Sequence, residues 1–315
     1  MKHVCRFPMA LLFGLAWMNG AGWAQDVKAT TMTGEIRRYE LLMQETPAQN
    51  SGAMWWKLAM LHQDAAQYRD AEHAYGKALE LLKTGDRATL ANVMDGMGTM
   101  YVETGWYVKA EALERNALAL REAQNDSAGI GVSWMHLAML SLGKHEVADA
   151  ARYAELAADR LVPERKGMAH TDAATPEQKM TALIYLSLAR CAQRDFSAAL
   201  PELALARTLA RASYPAQNFP VAYIDFLSGY AQWKSGKNER AAELMKTGTA
   251  GMEAQLGWGH PTYISAMKQY EAFLKRTRRN AEAAEVKAKI DRATAPQRGA
   301  DVARGETMLD KVASK

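Results

Sequence analysis

The amino-acid sequence predicts an all-α fold, an α-solenoid of about six antiparallel helix pairs, and three observations carry that reading. The 315-residue chain is 49% hydrophobic and rich in Ala, Leu and Met with few runs of Val or Ile, which favours helices over strands. A small residue recurs early in the second helix of successive apolar units: Ala71, Ala110, Ala150, Ala199, Ala241 and Ala283. The intervals are 39, 40, 49, 42 and 42 residues. A single helix pair cannot bury its own apolar face, so copies stack, and the length reflects added units rather than separate globular domains.

Residues 1–24 stand apart as an export signal. A basic start (Lys2, His3, Arg6) precedes an apolar run from Phe7 to Met18, then Asn19-Gly20, with Gly22 and Ala24 placed for cleavage before Gln25. The run is shorter than the roughly 20 residues a membrane span needs, so no stable membrane insertion is expected after cleavage. Cys5 leaves with the signal, and Cys191 then has no disulfide partner. Loss of Lys2 and Arg6 leaves 37 basic against 35 acidic residues, with both signs interspersed along the helices. That balance lacks the basic stripe of a nucleic-acid binder.

Residues 25–50 hold an amphipathic helix with Ile36, Tyr39, Leu42 and Met43 on one side, a cap for the array, and a linker. Repeats one to three fill 51–162. In the first, Trp55, Leu58 and Tyr75 surround Ala59, Ala71 and Ala78, whose small side chains let two helix backbones approach to roughly 8–10 Å. The second carries Met94, Met97, Gly98, Tyr101, Gly105 and Ala117 at matching offsets, and the third Trp134, Leu137, Ala138 and Ala157. An insertion over 163–178 ends in Thr175-Pro176-Glu177-Gln178, the signature of a capping box with Pro in the first turn. Repeats four to six occupy 179–292, with Pro201 near the first turn of a second helix, where it should bend or shift that helix. The stretch 293–315 lacks apolar periodicity and reads as a flexible tail.

Trp55, Leu58, Ala59, Ala71, Tyr75 and Ala78, with their counterparts in later units, resemble the tetratricopeptide repeat, W-x2-L-G…Y…A-x3-F…A. The intervals of 39 to 42 exceed the standard 34, and together with Leu256-Gly257, Gly259-His260-Pro261 and Asn280 to Ala283 they resemble the longer, kinesin-light-chain-like and bacterial variant. The likeness spans about Ser51 to Asp291 and is weakest in the fifth repeat, where Asp225 stands at the tryptophan position. It implies a right-handed superhelix whose first helices line a concave groove for a protein or peptide partner. By the same resemblance the groove positions are Trp56, Met60, Asn92, Asp95, Thr99, Met135, Met139, Leu142, Ile184, Leu188, Tyr223, Phe226, Tyr230 and Trp233. The Lys and Asn clamp that such proteins use for a peptide C-terminus is not reproduced, and the apolar lining suits a helix or an extended hydrophobic segment. The same Met and aromatic stripes also fit a self-packed core.

Other chemistries find little support. Ser141 to Lys144 and Ser265 to Lys268 fit S-x-x-K, and Lys83 to Gly85 and Lys246 to Gly248 fit K-T-G, but S-D-N is missing and the K-T-G copies read as helix ends. The histidines of the mature chain are scattered without a metal-ligand spacing, and no phosphate-cradling glycine motif is present, so neither a metal nor a cofactor is expected. Cys191 reads as a small buried residue. The expected function is a non-catalytic, exported scaffold or assembly factor, periplasmic or secreted, that binds a protein segment. The alternative is a sensor or carrier of a small apolar ligand in the same groove.

Overall fold

The computed structural model describes residues 28–45, 51–167, 174–215 and 218–294. The signal segment, the middle of the 163–178 insertion and the tail from 295 onward lie outside them. Among the described residues the chain is all helix: α1 (Lys28–Glu45), then six antiparallel pairs. The pairs are α2 (Gly52–Asp64) with α3 (Tyr68–Leu82), α4 (Arg87–Glu103) with α5 (Tyr107–Ala123), and α6 (Ser127–Gly143) with α7 (Val147–Leu161). They continue with α8 (Pro176–Ala192) and α9 (Phe196–Ser213), α10 (Phe219–Lys234) and α11 (Asn238–Leu256), and α12 (Pro261–Arg276) and α13 (Asn280–Thr294).

Short polar side chains start the first helices by accepting otherwise unpaired amide protons. Ser51 accepts from Met54 N, Asp86 from Ala88 N and Thr89 N, and Asp126 from Gly129 N. Before α8 the capping box forms in full: Gln178 N donates to Thr175 Oγ1 at 3.2 Å, and Thr175 N donates to Gln178 Oε1 at 2.9 Å. The turn inside every pair has one design. A single left-handed residue lies five positions before each marker alanine: Ala66, Gly105, His145, Arg194, Gly236 and Arg278, with φ between 53° and 84° across the chain's positive-φ residues. The amide that follows it reaches back to close the helix, as in Gln67 N to His62 O, Trp106 N to Tyr101 O and Arg279 N to Leu274 O.

All six marker alanines are buried, and around them the helices of each pair pack at close range. The approach is tightest between α10 and α11. A Cβ added at Gly248 would lie 2.6 Å from the amide nitrogen of Phe226 and 2.7 Å from the carbonyl oxygen of Ala222. The first helices touch one another from pair to pair (α2 with α4, α4 with α6, α6 with α8, α10 with α12), whereas consecutive second helices do not approach comparably. First helices therefore form the inner layer of the curve. Packed on both sides, α6, α8 and α10 are buried nearly all round, while α3, α7 and α9 bury one stripe each.

The insertion after α7 begins as a 3-10 turn over Pro163–Lys166. Arg165 anchors it by pairing with Glu155 and Asp159 of α7 and Glu202 of α9, at 2.7, 2.5 and 3.0 Å. Pro201 lies within α9, where it removes one backbone donor without ending the helix. Asp225, at the position where the first and third units carry Trp55 and Trp134, is buried and paired with Arg207 of α9 at 2.5 Å.

Candidate functional site

The inner layer is closed over most of its length. Met135 and Met139 on α6, Ile184 and Leu188 on α8, and Tyr223, Phe226 and Tyr230 on α10 are all buried, as are Thr99 and Leu142. These side chains belong to the core because neighbouring helices cover them, and several of the aromatics meet one another. Phe219 stacks on Tyr223 at 5.5 Å between ring centroids, Phe196 meets Tyr230 edge-on at 6.2 Å, and Trp233 meets Phe273 edge-on at 5.7 Å. Trp56 and Met60 on α2 and Trp233 on α10 keep part of their surface exposed, and Asn92 is exposed. Lys234 Nζ lies 3.6 Å above the Trp233 ring. Trp55, expected at the heart of the first pair, is also partly exposed and packs edge-on against His73 at 6.1 Å.

Asp95 faces neither groove nor solvent. It sits on α4 in a buried ionic cluster with Glu114 and Arg121 of α5 and His136 of α6. Glu114 and Arg121 follow Ala110 by four and eleven residues, which puts them on the same inward face of α5 as Ala110 and Ala117. Gly98 on α4 leaves the space for Glu114, since a Cβ there would lie 2.2 Å from Glu114 Oε1. Arg121 is held on three sides: its guanidinium is 2.5 Å from Asp95 Oδ2 and donates to Asn92 Oδ1 at 2.8 Å and to Ser133 Oγ at 2.6 Å. His136 Nδ1 is 3.3 Å from Asp95 Oδ1 and 3.4 Å from Glu114 Oε2.

The environment divides the two carboxyls. Burial, with the Asp95 charge nearby, pushes the Glu114 carboxyl above its ordinary range against the pull of His136. Burial would also raise Asp95, but His136 and Arg121 hold it below. The His136 imidazole, which burial alone would lower, is raised by the two carboxylates. The repeat register places Asp95 alone, as a groove residue, and does not bring these four side chains together. The available signal was two charges in the small-residue register of α5, at positions that the neighbouring pairs fill with Tyr75 and Leu82 or Ala154 and Leu161.

An open cleft of about 670 Å³ lies at the N-terminal end between α1, α2 and α3. Ile36, Met43, Trp55 and Leu58 supply its apolar wall, and Arg37, Glu40, Asp70 and His62 its polar edge. Of the short hydrolase-like motifs, Ser141 is buried within α6 and Lys144, capping that helix, pairs with Glu111 and Glu146 at 3.0 and 2.9 Å. Lys246 to Gly248 falls in the middle of α11, not at a helix end, with Gly248 packed against the α10 backbone. Cys191 is buried, which pushes its thiol up to about 12 and makes it a poor nucleophile.

No protein-family model and no curated protein sequence matches the chain. Solved structures do, through the fold. BtubC (BKLC) from P. vanneervenii superposes with a TM-score of 0.54 at 16% identity, over 71% of this chain and 89% of that one. The nearly identical TPR-like repeats from Podosopora anserina give a TM-score of 0.50 at 15% identity, over 70% and 99%. The apo form of RapI gives 0.62 at 12% identity, over 84% and 70%. The chain has the tetratricopeptide-repeat fold.

Proposed function

We propose that this chain is an exported, non-catalytic scaffold or assembly factor that binds a segment of a partner protein against its inner helix layer. The observation that supports this is the apolar surface left uncovered at two places on an otherwise filled layer. Trp56 and Met60 on α2 and Trp233 on α10 stay partly exposed while, Asn92 apart, the groove positions between them are buried. Large, stiff aromatic side chains flanked by polar groups are the anchors that protein interfaces favour. Export rests on the residues of segment 1–24.

Co-purification from envelope fractions tests the reading. The full chain should recover a specific protein that a Trp56→Ala, Met60→Ala, Trp233→Ala variant of unchanged helical content does not. Equal recovery by both would remove the inner layer from the interaction. N-terminal sequencing of the purified chain should begin at Gln25, and an intact Met1 would contradict export by cleavage. A second reading, a carrier of a small apolar ligand, draws on the N-terminal cleft, whose volume of about 670 Å³ is in the range of ligand sites. A small molecule extractable from the purified chain, with no protein recovered, would favour it.

A further inference from the structure

Asp95, Glu114 and His136 come from three consecutive helices, and among the described residues theirs is the one group of three or more His, Cys, Asp and Glu side chains whose ligand atoms converge, within 4.8 Å of one another. We propose that they bind a single divalent transition-metal cation, zinc by its donor set, which ties the second helix pair to the third. Three features of the geometry support this.

The first is spacing. Zinc–nitrogen and zinc–oxygen bonds of about 2.0–2.2 Å in a tetrahedral shell put neighbouring ligand atoms roughly 3.3–3.5 Å apart. His136 Nδ1 stands 3.3 Å from Asp95 Oδ1 and 3.4 Å from Glu114 Oε2. The second is satisfaction. Asp95 Oδ1, both Glu114 oxygens and His136 Nδ1 are buried and make no well-directed hydrogen bond, only the ion-pair approaches just given. One proton on Nδ1 cannot serve two carboxylates that it faces at equal distance, whereas a cation between them serves all three. The second Glu114 oxygen can complete the shell. The third is support. Arg121 fixes Asp95 through its other oxygen and is itself fixed by Asn92 and Ser133, the outer partners that orient metal ligands. Arg121 is thereby engaged outside the triangle, and Gly98 keeps Glu114 from being displaced.

The test uses the full chain unfolded in denaturant with chelator, then refolded with or without one equivalent of zinc. The expected result is one zinc retained per chain after dialysis and a higher melting temperature than the zinc-free protein. Glu114→Gln, which keeps the shape, should weaken zinc binding by about 100-fold or more, beyond the 10–100-fold range seen for outer partners. Should that variant not fold, His136→Asn replaces it, and cobalt refolded into the unaltered chain gives a further readout. Cobalt should show the intense visible bands of a four- or five-coordinate site. Loss of zinc on dialysis, an unchanged melting temperature, octahedral cobalt, or equal zinc retention by a folded variant would each overturn the proposal and leave a metal-free ionic cluster.

Discussion

Two seams of this solenoid share a backbone register and differ in chemistry. In the α10–α11 seam the inward positions after Ala241 are Met245, Gly248 and Met252, all buried, and at Gly248 the helix lies directly against the Phe226 and Ala222 backbone. In the α4–α5 seam the same positions after Ala110 are Glu114, Ala117 and Arg121, also buried. The register therefore accepts either a close-packed apolar surface or charges that meet opposite charges from neighbouring helices. The second solution is the more demanding, since replacing a buried ion cluster by apolar side chains is often neutral or stabilising, but removing one member is not. Retaining it points to a role for the seam beyond holding two helices together.

The largest expected effect breaks the charged seam. Arg121→Leu leaves buried Asp95 without its nearer cation and should destabilise by about 3–5 kcal/mol. The change at the corresponding position of the other seam, Met252→Leu, should cost less than about 1.5 kcal/mol. Urea midpoints of the two variants measure the contrast, and equal shifts would show that the seams differ in composition but not in energetics. Next comes the apolar seam: Gly248→Val drives a Cβ into the Phe226 and Ala222 backbone, which cannot turn aside, and should cost at least about 1–3 kcal/mol.

Smaller effects separate seams from turns. Gly105, with φ of 79° and open space around its Cβ position, should lose about 1–2 kcal/mol as Gly105→Ala through backbone strain alone. Arg194, at φ 66°, is expected to respond in the opposite direction, Arg194→Gly being neutral to mildly stabilising. A further effect depends on pH and lies outside both seams. Burial lowers His260, whose Nδ1 accepts from Thr262 N at 3.2 Å, to about 4. The unfolded chain then binds this proton first, so stability should fall as pH drops from about 6.5 toward 4. A His260→Asn variant should show a weaker dependence over that window.

The repeat was legible because close helix contact tolerates only small residues, so Ala71, Ala110 and Ala150 repeat whatever surrounds them. The turns were less so: Gly105 and Gly236 announce a left-handed residue, but Ala66, Arg194 and Arg278 take the same conformation without a sequence signal. The candidate groove was legible as a stripe but not as a surface. Met139, Leu188 and Tyr223 carry the same periodicity whether a partner or the neighbouring helix covers them, and here they are covered. Reading Asp95 by its repeat position alone hid the cluster, which appears only when Glu114 and Arg121 are compared with Tyr75 and Leu82 at matching offsets.

The most direct test is a set of single-cysteine reporters in a Cys5→Ser, Cys191→Ser background, labelled by a small thiol reagent under native conditions. We expect Met60→Cys and Trp233→Cys to react within the time of mixing and Met139→Cys and Leu188→Cys to react only as fast as the array opens. Rapid labelling at Leu188→Cys in a folded chain would mean that the inner layer is an open groove along its length, contrary to a layer closed except at Met60 and Trp233.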